Sequence, residues 1–145
     1  MCTLKKNMPQ VILIDDDLEH HSFAESLMKT YDFFDDFKCY NDSKAAIIDL
    51  VDAHYGEHRL PDIILLEVNM PDLHGWDFLE MFENLKTLLA KDIPVFILSS
   101  SIDPEDKIKS EHFSVVKGFY QKPLTAAVVE SVVSETRRAN FLKRL

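Results

Sequence analysis

Apolar residues along this chain fall into two alternating rhythms. Short runs occur at Val11-Ile12-Leu13-Ile14, at Ile63-Ile64-Leu65-Leu66 and at Ile93-Pro94-Val95-Phe96-Ile97-Leu98. Runs of this kind read as strands covered on both faces, the habit of a parallel sheet. Two weaker runs, Phe37 to Tyr40 and Val115 to Gln121, read as further strands. The last is the less apolar, as suits a sheet edge.

Between the runs the apolar positions recur at helical spacing. Leu18 to Lys29 is expected as a helix, capped by Asp17, with Phe23, Leu27 and Met28 facing inward. Asn41, Asp42 and Ser43 supply turn and cap residues, and Ala46, Ile47, Leu50 and Val51 carry a second helix to about Tyr55. A third helix begins near Trp76, its stripe formed by Phe78, Phe82, Leu85 and Leu89. Asp103-Pro104-Glu105-Asp106 is a strong start for a short fourth helix: a cap, a proline in first position, then acids. Ile108 and Phe113 are its expected anchors. Leu124, Val128 and Val132 line a final helix to about Leu142.

Strand and helix thus alternate five times, with no internal repeat, low-complexity segment or linker. Such alternation implies right-handed crossovers and an α/β fold with helices on both faces of a parallel sheet. A doubly wound sheet of order 2-1-3-4-5 is the natural solution, with the first and third strands meeting at the switch point. The residues that end the strands then share one crevice. They are Asp15 and Asp16 after the first strand and Glu67 after the third; the fourth strand, which runs into Ser99-Ser100-Ser101, ends beside them with Ser99, and the fifth ends with Lys122. Pro71 and Gly75 bound the loop that follows Glu67.

Composition narrows the function classes. The 145 residues suit one domain with a sizeable core. A formal charge of −9 argues against a dedicated nucleic-acid surface, and no apolar run approaches a membrane span. The cluster Arg137, Arg138, Lys143 and Arg144 is expected as a helix C-terminus, where cations suit the dipole. Cys2 and Cys39 are isolated thiols without CxxC spacing, and Cys39 reads as a small buried hydrophobe. A reduced, cytoplasmic compartment fits, and residues 1–10 have no apolar signal-peptide core.

Each strand-end residue has an ordinary reading when taken alone. An Asp run before a helix caps it, Ser99 can be a turn residue, and Lys122 before Pro123 a solvated strand end. Glu67 resists such a reading, because an ionised group closing a buried strand is costly without partners. Together, three close carboxylates call for a cation or a raised pKa, and a hard divalent metal is the obvious partner. Carboxylates, metal, a hydroxyl and an ammonium in one mouth suit a phosphoryl group.

The motifs VILIDD up to Asp16, LLEVNMPDLHG from Leu65 to Gly75, ILSS from Ile97 to Ser100, and Lys122-Pro123 resemble the receiver domain of two-component response regulators, the CheY-like family. The resemblance spans nearly the whole chain. It implies a flavodoxin-like (βα)5 fold, residues 1–145 as a single receiver domain with residues 1–9 as a tail, and a signalling module rather than an enzyme. It implies Mg2+ held by Asp15, Asp16, Glu67 and the backbone carbonyl of Asn69. Ser99 and Lys122 would grip phosphoryl oxygens, and Phe119 would act as the rotameric switch. The implied partners are a sensor histidine kinase or phosphotransfer protein, and a downstream target on the face of the fourth helix, fifth strand and fifth helix. Glu105, Asp106 and an exposed Tyr120 are expected on that face. No effector segment follows in this sequence, so output is expected from the receiver's own surface.

The departure lies at the centre. Family members accept phosphate on an Asp where this chain has Glu67. The added methylene carries the carboxylate roughly 1.5 Å further, and displacing a reacting group by about 1 Å can cost around a hundredfold in rate. Glu67 is also long enough to approach Lys122. It is expected to make the chain a pseudo-receiver or a phosphomimetic form.

Two other classes share part of this pattern. Asp15-x-Asp17 with a later Ser and Lys echoes Mg-dependent haloacid-dehalogenase-type phosphatases, in which Asp15 would be the nucleophile. The late acidic pair of that family is missing, since Glu130 and Glu135 fall within the last helix. A flavin-binding module lacks a phosphate-cradling loop. The pairs His20-His21 and His54…His58 read as surface histidines, and His74 as a neighbour of the pocket.

Overall fold

The computed structural model describes residues 9–30, 36–56, 59–70, 74–100 and 103–143. The five apolar runs form strands: β1 (Gln10–Ile14), β2 (Asp36–Tyr40), β3 (Ile63–Leu66), β4 (Val95–Ser99) and β5 (Val116–Gln121). Helices α1 (Leu18–Met28), α2 (Ser43–Tyr55), α3 (Gly75–Leu85), α4 (Pro104–Ser110) and α5 (Ala126–Lys143) alternate with them. The sheet is parallel throughout, in the order β2-β1-β3-β4-β5. This is the expected flavodoxin-like arrangement. Expectations at Cys2, His58, Pro71, Ser101, Arg144 and most of the N-terminal tail lie outside the described residues.

The pleat sorts each apolar run into two cores. Ile12, Ile14, Ile64, Leu66 and Ile97 face α2 and α3, where they meet Leu50, Phe78, Leu79 and Phe82. Val11, Leu13, Leu65, Phe96 and Leu98 face the other way and meet Ala24 and Met28 of α1 and Val129, Val132 and Val133 of α5. A strand buried on both sides has no polar alternation to show, which is why these runs are unbroken in sequence. The helix starts follow from side-chain caps. Asp17 accepts from the Glu19 and His20 amides, Asp42 from Lys44, and Asp103 from Glu105 with Pro104 behind it.

Several local expectations are corrected. Phe23 is half exposed, and α1 instead buries His20, His21, Ala24 and Met28. Helix α3 ends at Leu85, so Leu89 reaches the core from a turn beyond it. Ile108 is exposed, leaving Phe113, beyond the end of α4, as the partly buried anchor. Tyr120 is half buried, because the pleat turns it onto the α1–α5 face, where its ring lies 6.4 Å from that of Phe96. Cys39 is half buried. Burial, together with the charge and hydrogen bonding of Glu25, pushes its thiol up to about 12, which makes it a poor nucleophile. Leu124 precedes α5 instead of lying within it.

Gly75 shows what holds the central loop against the sheet. A Cβ there would lie 2.4 Å from the Val68 Cα and 2.5 Å from the Glu67 carbonyl oxygen. The Gly75 amide donates to the Val68 carbonyl at 3.1 Å. Only a residue without a side chain lets α3 begin this close to the end of β3. Gly75→Ala should therefore lower stability by about 2–3 kcal/mol, since backbone must move to admit the methyl group; urea unfolding measures this, and an unchanged midpoint would contradict it.

Candidate functional site

The register of the sheet brings the polar strand ends together. Ile14 pairs with Leu66 and Leu66 with Ile97, so Asp15 and Glu67 leave neighbouring strands side by side. Their backbones are fixed by the sheet: the Asp15 amide donates to the Tyr40 carbonyl and the Glu67 amide to the Ile14 carbonyl, each at 2.9 Å. Both side chains are nearly inaccessible, with Asp15 0 % and Glu67 2 % exposed. Two buried acids on adjacent strands repel one another unless something positive lies between them.

Lys122 is that positive group. The Lys122 amide donates to the Ser99 carbonyl at 2.9 Å, which fixes the end of β5 beside β4. Its Nζ lies 2.8 Å from Asp15 Oδ2, 3.7 Å from Asp17 Oδ2 and 3.9 Å from Glu67 Oε1. The close partner is thus Asp15, and Glu67 is held at a longer range.

Asp15 is gripped on every polar atom. Its Oδ1 accepts from the Asp17 amide at 3.0 Å, and Oδ2 also accepts from His20 Nδ1 at 2.8 Å. His21 Nε2 donates to the Asp15 backbone carbonyl. His20 and His21 are therefore buried pocket residues, which corrects their expected surface location. His20 and His21 lie in the first turn of α1, close enough after β1 to meet the Asp15 carboxylate and backbone carbonyl. Their closeness in sequence to the strand-end acid was the available signal.

Glu67 takes its hydrogen bonds from neutral donors, with Lys122 at longer range. Its Oε1 accepts from the Ser100 hydroxyl at 3.1 Å and from the Ser100 amide at 3.4 Å, and Oε2 accepts from the Val68 amide at 3.1 Å. Ser100, not singled out from the sequence, is thus its principal partner. The buried Ser99 hydroxyl accepts instead from Asn69 Nδ2 at 3.3 Å. Asp16 is exposed and makes no hydrogen bond or ion pair with another described residue. Phe119 is half buried against the α2–α3 core. The structure thus gathers Asp15, Glu67, Ser99, Asn69 and Lys122, with Asp16 at the rim.

The electrostatics follow from these partners. Burial pushes the Asp15 carboxyl up, but the His20 and Lys122 hydrogen bonds, the Asp17 amide and the Lys122 charge outweigh it and hold the group below the usual carboxylate range. Burial dominates at Glu67 and raises its pKa despite the Lys122 charge and the Ser100 hydrogen bonds. Lys122 is lowered by burial, yet its hydrogen bond to Asp15 and the surrounding acids leave it raised overall. The three are most simply a charged Asp15–Lys122 pair with a second acid nearby.

The donors are of the right type for Mg2+: carboxylate and carbonyl oxygens. In this structure protein donors already engage most of them. Among the described residues no three His, Cys, Asp or Glu side chains converge as a metal set. His20 and Lys122 already fill Asp15 Oδ2, and Glu67 is bonded to Ser100. The same burial counts against Asp15 as a phosphatase nucleophile, since no oxygen of it faces open space.

The chain is thus a doubly wound parallel α/β domain with an acid–lysine pocket at the C-terminal edge of its sheet. The chain belongs to the response regulator receiver domain family, whose model matches residues 11–134. It is 27 % identical to a two-component response regulator from Cytophaga hutchinsonii, with a TM-score of 0.82 over 90 % of this chain and 98 % of that one. The chemotaxis protein CheY4 of Vibrio cholerae shares the fold at 19 % identity, with a TM-score of 0.71 over 89 % and 98 % of the two chains. A probable methanogenesis regulatory protein, FilR2, from Methanothrix harundinacea is 26 % identical over 128 residues, 88 % of this chain and 80 % of its own. Receiver domains are in general signalling modules that bind Mg2+ at an acidic pocket and interact with histidine kinases or phosphotransfer proteins and with downstream targets. Among the described residues no helix is long and apolar enough to cross a membrane.

Asp15→Asn removes the charge that His20 and Lys122 share and leaves a mostly buried ammonium without its close partner. Stability at pH 7 should fall by about 3 kcal/mol. The folded pKa of Asp15 lies below its unfolded value, so its contribution is complete above the unfolded value, about 3.9, and is lost as pH falls through the native one. The gap between the two proteins should therefore be constant near neutrality and narrow in acid. Urea unfolding across pH checks both size and sign.

Proposed function

We propose that this chain, residues 1–145, works as a single receiver unit, with residues 1–9 as a tail, and that it signals without taking a phosphoryl group on Glu67. The observation that carries this reading is the state of the Glu67 carboxylate: 2 % exposed, with one oxygen on Ser100 and the other on the Val68 amide. An acceptor must present a free lone pair in line with the incoming phosphorus. Glu67 would first have to break these bonds, while the extra methylene has already carried it past the position that an aspartate would occupy.

In this reading Glu67 stands at the acceptor position, Asp15 and Asp16 form the acidic pair, and Asn69, Ser99 and Lys122 complete the pocket. Phe119 is the switch residue. Output passes to a protein partner on the face made by α4, β5 and α5, where Glu105 is exposed and Asp106 half buried. The histidine kinase or phosphotransfer partner general to the family would recognise the fold without completing transfer. A cytoplasmic setting agrees with a sequence whose two cysteines lack CxxC spacing and with a free Cys39 thiol.

The test is intact mass after incubation with acetyl phosphate and Mg2+, for this protein and for Glu67→Asp. Gain of one phosphoryl mass by the aspartate variant alone is expected. Gain by the unmodified protein, abolished in Glu67→Gln, would make Glu67 a working acceptor and overturn the reading. Reaction of neither protein would count against a receiver pocket at all.

A further inference from the structure

Both ring nitrogens of His20 are committed. The Leu124 amide donates to Nε2 at 3.0 Å, so Nε2 carries no hydrogen and accepts. Nδ1 lies 2.8 Å from the ionised Asp15 Oδ2, which can only accept, so Nδ1 carries the proton. The ring is therefore the neutral Nδ1–H tautomer, buried to 5 % exposure and covered by Phe23 at 6.5 Å between ring centres. This cover accounts for a half-exposed phenylalanine on α1.

The far end of this bridge is informative. Leu124 is fully buried in the core between α1 and α5, immediately before α5 begins. Two residues earlier, Lys122 is attached to the same Asp15 oxygen by its ammonium. The connection from β5 to α5 is thus tied to Asp15 twice, through the Lys122 side chain and through the Leu124 backbone by way of His20.

We propose that His20 is a positioning residue that couples the Asp15 carboxylate to the start of α5. An imidazole is rigid, so rotation of the Asp15 carboxylate that pulls on Nδ1 also displaces Nε2 from the Leu124 amide. A change at the acidic pocket is thereby passed to the helix that forms one side of the output face, by a route separate from Phe119. The inference deepens the receiver reading and rests on it for its purpose. Its test uses no phosphoryl donor, so its failure is distinguishable from failure to phosphorylate Glu67→Asp.

The full chain, labelled with 15N, supplies two readouts. Long-range proton–nitrogen correlation at neutral pH should show His20 with Nδ1 protonated and Nε2 bare; the opposite tautomer or an imidazolium overturns the proposal without any variant. Amide exchange at Leu124 is then compared in the unmodified protein, Asp15→Ala, His20→Leu and the double variant. Asp15→Ala should speed exchange at Leu124 by about tenfold beyond the acceleration seen at the core amides of Leu65 and Leu98, which report the global loss of stability, the excess being the effect of losing one hydrogen bond. In the His20→Leu background the same change should alter it by less than about twofold. Equal acceleration in both backgrounds, or none in the first, would show that the coupling does not run through His20.

Discussion

Most of this pocket depends on one contact, the 2.8 Å pair between the Lys122 ammonium and Asp15. A parallel sheet cannot avoid crowding its strand ends, because register places them about 5 Å apart at one edge. Here the edge holds two inaccessible acids, and a third, Asp17, stands at the rim. A single ammonium, itself only 12 % exposed, offsets their repulsion. Its charge is not shared evenly: it sits on Asp15 and leaves Glu67 to find neutral donors.

That asymmetry explains the rest of the site. Asp15 has an ion pair, an imidazole donor and a backbone amide, and it stays ionised below the usual carboxylate range. Glu67 has a serine hydroxyl and two amides, which do not outweigh burial, and its pKa moves the other way. Two carboxylates on neighbouring strands thus differ in character because of what lies beyond each strand: α1 with its histidines behind β1, and the Ser99-Ser100 turn beside β3. The length of Glu67 suits the second arrangement, since its extra methylene reaches Ser100 just past the end of β4.

The fold was largely legible in the sequence. Unbroken apolar runs such as Ile63–Leu66 imply burial on both faces, and burial on both faces of short strands separated by helices leaves a parallel sheet as the solution. Caps at Asp17, Asp42 and Asp103 marked helix starts because their chemistry is local. Beyond a few element boundaries, the corrections concern direction. Phe23 and Ile108 are apolar residues that face outward, and His20 and His21 are polar residues that face inward. Composition gives a residue's preference, whereas the angle at which a helix crosses the sheet decides which side it presents.

The sequence by itself determined the five-fold alternation, the strand ends that meet in one crevice and the presence of a glutamate at its centre. These follow from local hydrophobicity, local capping and the rules of parallel crossovers, none of which needs a distance. Only the tertiary structure decided how the charges are partnered: Lys122 with Asp15, Glu67 with Ser100, Asn69 with Ser99, and His20 between Asp15 and Leu124, 104 residues apart in the chain. Hydrogen bonds and ion pairs weaken steeply with distance and angle. Which of several nearby groups forms one is fixed only when the helices have settled against the sheet.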